Sequence, residues 1–145
     1  IFTSGLLHDI GRIALLETSP ELYAKVDPNL VGDALIAAEQ DILGLSHPEA
    51  GFELASNWNL PEEISEVIRF HQNPSFSEAY PVNTSIVSLA ERWTRQIALG
   101  NTDKDILIRE SEDLLKTLDM DDSTASGTFD HVAELEPVQF VWDGS

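Results

Sequence analysis

The stretch Phe2-Thr-Ser-Gly-Leu-Leu-His-Asp-Ile-Gly-Arg-Ile-Ala-Leu-Leu16 places an ionisable pair, His8 and Asp9, inside an apolar helical pattern. Apolar residues recur with the period of a helix that has one buried stripe, at Phe2, Leu6, Leu7, Ile10, Ile13 and Ala14. The pair is therefore predicted to be largely buried. Burial of an ionisable pair costs free energy, which either a divalent metal or a tight hydrogen-bond network can offset. Both interpretations are open from these two residues alone.

Further helical patterns follow the first one, joined by short segments that contain proline, glycine and asparagine. A short helical turn is expected after Pro20, and longer helices over about 28–43, 47–58, 61–71, 82–99 and 104–118. No convincing strand-like alternation occurs before residue 120. The sequence therefore predicts an all-α fold, a compact bundle of several helices.

Two more histidines are placed by helical signals. His71 follows Ile64, Val67 and Ile68 at helical spacing, so its side chain is predicted to point toward the ionisable pair of the first helix. His47 lies at the start of a helix, where the dipole favours a neutral imidazole, the form that binds metals. The alternative for His71 is a hydrogen-bonded core histidine, and the alternative for His47 is a helix cap or a side chain in solvent.

Two glutamates lie beside predicted buried stripes. Glu39 is adjacent to the stripe of the helix over 28–43, so it lies either at the edge of the buried face or in solvent. Glu91 is adjacent to the stripe of the helix over 82–99, with Arg92 and Arg95 nearby. An ion pair with one of these arginines is the alternative to metal ligation by Glu91.

Composition excludes several classes of function. The apolar fraction of 42% is typical of a globular chain, and 26 acidic against 8 basic residues give a net charge of −18. Such a surface repels nucleic acids and anionic membranes. The absence of cysteine excludes disulfides, thiolate zinc sites and thiol catalysis. No apolar run approaches the roughly 20 residues of a membrane span, so a cytoplasmic protein is expected.

The last part of the chain is strongly acidic. Residues 119–145 contain seven acidic and no lysine or arginine side chains. The segment over 121–127 is predicted to be a linker or loop, 128–135 a short helix, and 138–142 a strand or an apolar docking segment. We therefore expect one helical domain over 1–119 and an acidic linker, tail or docking segment over 120–145. Because the first helix starts at once without a capping residue, we also expect native chain before Ile1.

The string Gly5-Leu-Leu-His-Asp-Ile-Gly11 resembles the signature of the HD superfamily, helical metal-dependent phosphohydrolases and their inactive relatives. The resemblance continues through Glu39, Gly44-Leu-Ser-His-Pro-Glu-Ala-Gly51, Trp58-Asn-Leu-Pro-Glu-Glu-Ile64, Phe70-His-Gln-Asn-Pro74 and Ile86-Val-Ser-Leu-Ala-Glu91. This order is similar to that of the HDOD subfamily, HD-related output domains of bacterial signalling proteins. It covers roughly residues 1–99 and implies an HD-type helical bundle.

The resemblance also implies a set of site residues. The metal ligands would be His8, Asp9, His47, His71 and Glu91, holding a divalent ion of Mn, Fe, Zn or Mg, and Arg12 and Arg69 are candidates for contact with a phosphate or another ligand. The chain departs from the catalytic pattern, however. Two consecutive histidines of the related HD-GYP phosphodiesterases are matched by His71 and Gln72, and Glu91 stands where the HD set has an aspartate. The first metal-binding histidine of catalytic HD proteins lies on an earlier helix than any in this chain.

These departures favour a non-catalytic signal-transduction module that binds other signalling protein domains or a small ligand. Two alternatives stay open. One is a metal-dependent phosphohydrolase acting on a nucleotide or cyclic dinucleotide. The other is a structural helical adaptor whose histidines are remnants of an ancestral site.

Overall fold

The computed structural model describes residues 1–135, which form ten α-helices, one 3-10 turn and no strand. The helices are α1 (Phe2–Leu7), α2 (Ile10–Thr18), α3 (Pro20–Tyr23), α4 (Gly32–Leu43), α5 (His47–Asn57), α6 (Glu62–Phe70), α7 (Pro81–Ala98), α8 (Lys104–Arg109), α9 (Glu112–Thr117) and α10 (Asp122–Glu134), with the 3-10 turn at Pro74–Phe76. The predicted all-α class is confirmed. The segment over 138–142 lies outside the described residues.

The first predicted helix is interrupted at its ionisable pair. His8 ends α1 and Asp9 precedes α2, with a backbone conformation (φ −98°, ψ 12°) that is not helical. The predicted buried stripe is wrong, because Phe2, Leu6 and Ile13 are 83%, 72% and 58% exposed. The break turns α2 so that it buries Gly11 and Leu15 instead. The pair therefore lies in a short turn between two helices.

The predicted end of the helix over 28–43 and the predicted start of the helix over 47–58 are confirmed. Gly44 ends α4 with φ +75°, a left-handed conformation that glycine adopts without steric cost. Ser46 and Glu49 form a capping box at the start of α5, in which the Glu49 carboxylate accepts from the Ser46 backbone nitrogen at 3.1 Å. His47 is thereby the first residue of the helix rather than its cap.

Helix α4 begins later than predicted. Asp27, directly before the predicted start at residue 28, accepts hydrogen bonds from the backbone and side-chain nitrogens of Asn29 at 2.9 and 2.8 Å. This local turn competes with the helix, as aspartate side chains commonly do. Residues 27–31 therefore form a loop, and α4 starts at Gly32.

The chain divides into two compact units within α7, at residues 1–88 and from residue 89 onward. The first contains α1 to α6, with α5 packed against both α2 and α6. The second has a core of apolar side chains contributed by α7, α8, α9 and α10: Leu89, Trp93, Leu107, Leu114, Leu115, Ala125 and Phe129. Every helix in residues 1–135 is too short or too polar to traverse a bilayer.

Two local predictions in the second unit are wrong. The helix expected over 104–118 breaks at Ser111, whose hydroxyl donates to the Leu107 carbonyl at 2.8 Å and accepts from Trp93 Nε1 at 3.2 Å. The linker expected over 121–127 is part of α10, which Asp121 caps by accepting from the Thr124 nitrogen at 2.7 Å. The division into a domain over 1–119 and a tail over 120–145 stays a prediction.

Candidate functional site

Two glycines allow the backbones of α2 and α5 to approach closely. A Cβ atom added to Gly11 would lie 1.9 Å from the carbonyl oxygen of His47 and 2.6 Å from the nitrogen of Gly51. A Cβ added to Gly51 would lie 2.7 Å from the side chain of Ile68 on α6. Three helices therefore meet at glycine contacts, directly beside the turn that contains Asp9.

One oxygen of Asp9 is the centre of a polar cluster. Oδ1 lies 3.4 Å from His47 Nε2, 3.5 Å from His71 Nε2 and 3.2 Å from Arg12 Nε. The other oxygen, Oδ2, lies 3.6 Å from His8 Nε2. We call these five residues the Asp9 cluster. His47 and His71 are fully buried, so the predicted inward orientation of His71 is confirmed.

The three imidazoles are oriented by hydrogen bonds at Nδ1. His8 and His71 donate to the carbonyls of Gly5 and Ile68 at 2.7 and 2.8 Å, and His47 donates to a carboxylate oxygen of Glu39 at 2.7 Å. A carbonyl accepts only, so the Nδ1 atom facing it carries the proton. Each ring therefore turns Nε2 toward Asp9, an orientation that metal-binding histidines commonly have.

Glu39 is the site residue that the predicted ligand set omitted. Its side chain is fully buried, and Oε2 accepts from both the backbone nitrogen and Nδ1 of His47, at 2.8 and 2.7 Å. The interpretation of Glu39 as a solvated side chain is wrong, because these two donors offset the cost of burying it. Glu39 is one of the residues that carry the family resemblance in the sequence, and this resemblance was the signal that could have identified it.

The Asp9 carboxylate is held in its ionised form. Burial alone would raise the pKa of Asp9, but the His71 imidazole and the charges of Arg12, His8 and His47 together lower that pKa far below its ordinary value. The carboxylate therefore stays negative at neutral pH. Its Oδ1 atom and Nε2 of His47 are buried and form no hydrogen bond among residues 1–135.

This arrangement fits a cation. The donor atoms of Asp9, His47 and His71 all lie within 4.8 Å of one another. Ligands of a tetrahedral ion with bonds of 2.0–2.1 Å are about 3.3 Å apart, close to the spacing between Asp9 and the two histidines. Because lone pairs of an imidazole and a carboxylate repel, a contact at this distance needs a proton or a metal ion between them. The donor set is compatible with Zn, Mn or Fe.

Two further predicted site residues, Glu91 and Arg69, contact side chains of their own surroundings. Glu91 lies on α7 in the second unit, where its carboxylate pairs with Arg95, the ion pair considered as an alternative. Its role as a metal ligand stays a prediction. Arg69 packs its guanidinium carbon 4.4 Å above the ring of Phe52. Of the two candidate ligand-binding arginines, Arg12 is the one that contacts Asp9.

The comparisons with known proteins concern the part of the chain that builds this cluster. The HDOD domain family matches residues 1–74, half of the chain. An uncharacterized protein of Treponema pallidum (strain Nichols) is 33% identical over 100 residues, which cover 65% of this chain and 19% of that protein. The chain thus spans about a fifth of that relative. No solved structure matches. The match over residues 1–74, which includes the turn of His8 and Asp9 as well as His47 and His71, shows that the chain belongs to the HDOD domain family.

Proposed function

We propose that the chain is a non-catalytic output or adaptor domain of a bacterial cytoplasmic signalling protein, acting through a partner domain or a small ligand. The observation that carries the proposal is the ion pair between Arg12 Nε and Asp9 Oδ1, at 3.2 Å. In a catalytic relative, the carboxylate at the position of Asp9 would be available to a metal. Here the same oxygen that faces His47 and His71 is in contact with a cation of the protein itself.

The charge of Arg12 acts against metal binding at Asp9. A guanidinium stays protonated at any physiological pH, so it compensates the Asp9 carboxylate permanently. A divalent ion at Oδ1 would lie within a few ångströms of this positive charge and would be repelled by it. Gln72, which follows His71 where catalytic relatives have a second histidine, also supports a cluster without hydrolytic activity.

The cluster is also suited to transmitting a conformational change. It joins the turn between α1 and α2 to the start of α5 and the end of α6, through contacts to a single carboxylate oxygen. A ligand or partner that withdraws Arg12 would change the balance of charge at that oxygen. Packed helices respond to such a change by moving between discrete arrangements.

Metal content and hydrolysis test the proposal together. The protein is purified without chelator, analysed for Mn, Fe and Zn, and assayed for cleavage of cyclic dinucleotides in the presence of Mn²⁺. We expect no near-stoichiometric metal and no cleavage. Hydrolysis by metal-loaded protein that is lost in Asp9→Asn would overturn the proposal.

Two single variants, each of which replaces one arginine, test the role of Arg12. We expect Arg12→Gln to bind Zn²⁺ at least about tenfold more tightly than the wild type, because a positive charge next to the donor set is removed, and tenfold corresponds to about 1.4 kcal/mol. Arg69→Gln is the matched control, since that side chain packs on Phe52, and it should leave zinc affinity unchanged. Equal zinc affinity of Arg12→Gln and wild type would contradict the argument from the ion pair.

A metal-dependent phosphohydrolase acting on a nucleotide or cyclic dinucleotide is the second candidate, favoured by the orientation of the imidazoles. Asp9, His47 and His71 would hold the ion, with His8 and Glu91 as the further ligands expected from the family. A bound divalent metal would supply an activated water and offset phosphoryl charge. Glu39 would orient His47, and Arg12 or Arg69 would contact the phosphate.

A further inference from the structure

A cavity of about 350 Å³ lies beside the Asp9 cluster in the first unit. It is formed by α2, α3, the loop after α3 and α4. Its lining residues combine apolar side chains with one arginine, one tyrosine and one aspartate: Arg12, Tyr23, Ala24, Val26, Asp27, Pro28, Leu30 and Leu35. The volume is at the lower end of the range found for cavities that bind small ligands, about 300–1,000 Å³.

The apolar part of this cavity is built into the core. Val26 and Leu35 are buried, and Leu30 is half-buried beside them. Asp27 is an acidic side chain at the edge, but its carboxylate accepts two hydrogen bonds from Asn29 and so belongs to its own turn. An apolar group of a ligand would therefore contact Val26, Leu30 and Leu35.

The polar part of the cavity consists of donors. Arg12 contacts Asp9 through Nε, which is buried and donates no hydrogen bond within residues 1–135. Burial raises the pKa of Tyr23, while the nearby Arg12 charge lowers it and Glu39 and Asp9 raise it, so the phenol stays protonated and can donate. An arginine and a phenol at one end of an apolar cavity are suited to a carboxylate or a phosphate.

We propose that this cavity binds a small organic anion, with its apolar group against Val26, Leu30 and Leu35 and its carboxylate or phosphate on Arg12 and Tyr23. The proposal deepens the proposed function, on which it rests, by naming the chemical class of the small ligand. In a chain of net charge −18, Arg12 is one of only 8 basic side chains, and it is the one shared by the cavity and the Asp9 cluster. The cavity is distinct from the group of histidine nitrogens around Asp9.

Sharing Arg12 couples the cavity to the cluster. An anion in the cavity competes with Asp9 for the same guanidinium, so ligand binding weakens the compensation of the Asp9 charge. By linkage, weakening the Asp9 charge strengthens ligand binding by the same factor. Asp9→Asn should therefore bind an anion several-fold more tightly than the wild type.

The test is a titration of the ¹⁵N-labelled chain with benzoate and with phenyl phosphate, followed by amide chemical shifts. We expect saturable shifts centred on Arg12, on residues 23–30 and on Leu35. Benzyl alcohol, which lacks the anion, and inorganic phosphate, which lacks the apolar group, should each bind at least about tenfold more weakly than the probes. Such a factor matches the loss of one charged or one apolar contact.

Two variants test whether the anion binds in this cavity. Arg12→Gln removes the cation, and Leu30→Asp places a negative charge in the cavity while leaving Arg12 and Asp9 in place. Each should weaken phenyl phosphate binding at least about tenfold. Arg109→Gln, at an exposed arginine of α8 that does not line this cavity, is the control that should bind as the wild type does.

The proposal is overturned if neither probe produces saturable shifts at about 10 mM, ten times a dissociation constant of 1 mM. It is equally overturned if the shifts persist in both Arg12→Gln and Leu30→Asp. Absence of probe binding in a protein without metal or hydrolysis rejects this site and leaves the non-catalytic function in place. Metal-dependent hydrolysis rejects that function whether or not the probes bind.

Discussion

Oε2 of Glu39 lies 2.7 Å from Nδ1 of His47 and 2.8 Å from the backbone nitrogen of the same residue. One buried carboxylate oxygen thus satisfies the first backbone donor of α5 and fixes the ring that faces Asp9. The pair is fully enclosed, with no exposed surface on either side chain. Glu39 therefore acts on the Asp9 cluster through His47 without touching Asp9.

Replacing Glu39 tests this relationship. Glu39→Ala leaves two buried donors of His47 without an acceptor, and each such loss costs about 1–3 kcal/mol. We expect the free energy of unfolding, measured with urea, to fall by about 2–5 kcal/mol. Glu53→Ala on the exposed face of α5 is the control and should change it by less than about 0.5 kcal/mol. Equal stability of the two variants would show that the buried carboxylate does not hold α5.

The glycine contact between α2 and α5 gives a second prediction. A methyl group at residue 11 would overlap the His47 carbonyl, because its Cβ would lie 1.9 Å from that backbone oxygen. We expect Gly11→Ala to destabilise the fold by about 3 kcal/mol or more, at the upper end of overpacking effects. Urea unfolding of the purified protein measures it.

Gly5 provides the matched control within the same seven-residue string. A Cβ added there has no atom within 4 Å, and Gly5 lies in α1. Since alanine is preferred over glycine in helices by about 1 kcal/mol, Gly5→Ala should be neutral or stabilising. A comparable loss of stability in both variants would contradict the proposed close contact of α2 with α5.

The sequence predicts the helical class and the inward side of α6, because these follow from local periodicity. Ile64, Val67 and Ile68 recur at helical spacing, and His71 continues them into the core. The capping box of Ser46 and Glu49 is equally local, since both partners lie within one turn. Such features depend only on residues that are close together in the chain, so they can be predicted from the sequence.

Features that depend on distant partners could not be predicted in the same way. The apolar period runs through the stretch 2–16 without a gap, yet the chain breaks at His8 and Asp9, whose side chains meet residues from α5 and α6. Burial of Glu39 depends on two donors of His47, eight residues away. Helical periodicity indicates the buried side of a single helix and carries no information about contacts between helices.

The ionised state of Asp9 gives a prediction about pH. Its pKa is lowered in the folded protein, so the carboxylate stabilises the fold fully above the unfolded pKa of about 3.9. This stabilisation is lost progressively as the pH falls below that value toward the folded pKa, because the unfolded chain then binds the proton first. Between pH 5 and 7 the contribution is constant.

Comparison of the wild type with Asp9→Asn isolates this effect. We expect the difference in their free energies of unfolding to be largest above about pH 5 and to shrink as the pH is lowered through about 4 to 3. Asp41→Asn on the exposed side of α4 is the control and should show a much smaller difference at every pH. A difference for Asp9→Asn that does not change between pH 3 and 7 would contradict the lowered pKa.

The last helix gives a prediction for the second unit. Phe129 on α10 is 3% exposed, and its ring centre lies 5.3 Å from that of Trp93 at an interplanar angle of 73°, an edge-to-face contact. Truncating a buried phenylalanine costs about 3–5 kcal/mol. Phe129→Ala should therefore lower the free energy of unfolding of the second unit by about that amount. Unfolding is followed by near-ultraviolet circular dichroism of the tryptophans. Thr128→Ala, at the exposed neighbouring position, should leave it unchanged. Equal stability of Phe129→Ala and Thr128→Ala would contradict the packing of α10 in this core. A helix without a core contact would add nothing to the stability of the unit, and α10 would then be a loosely attached acidic segment.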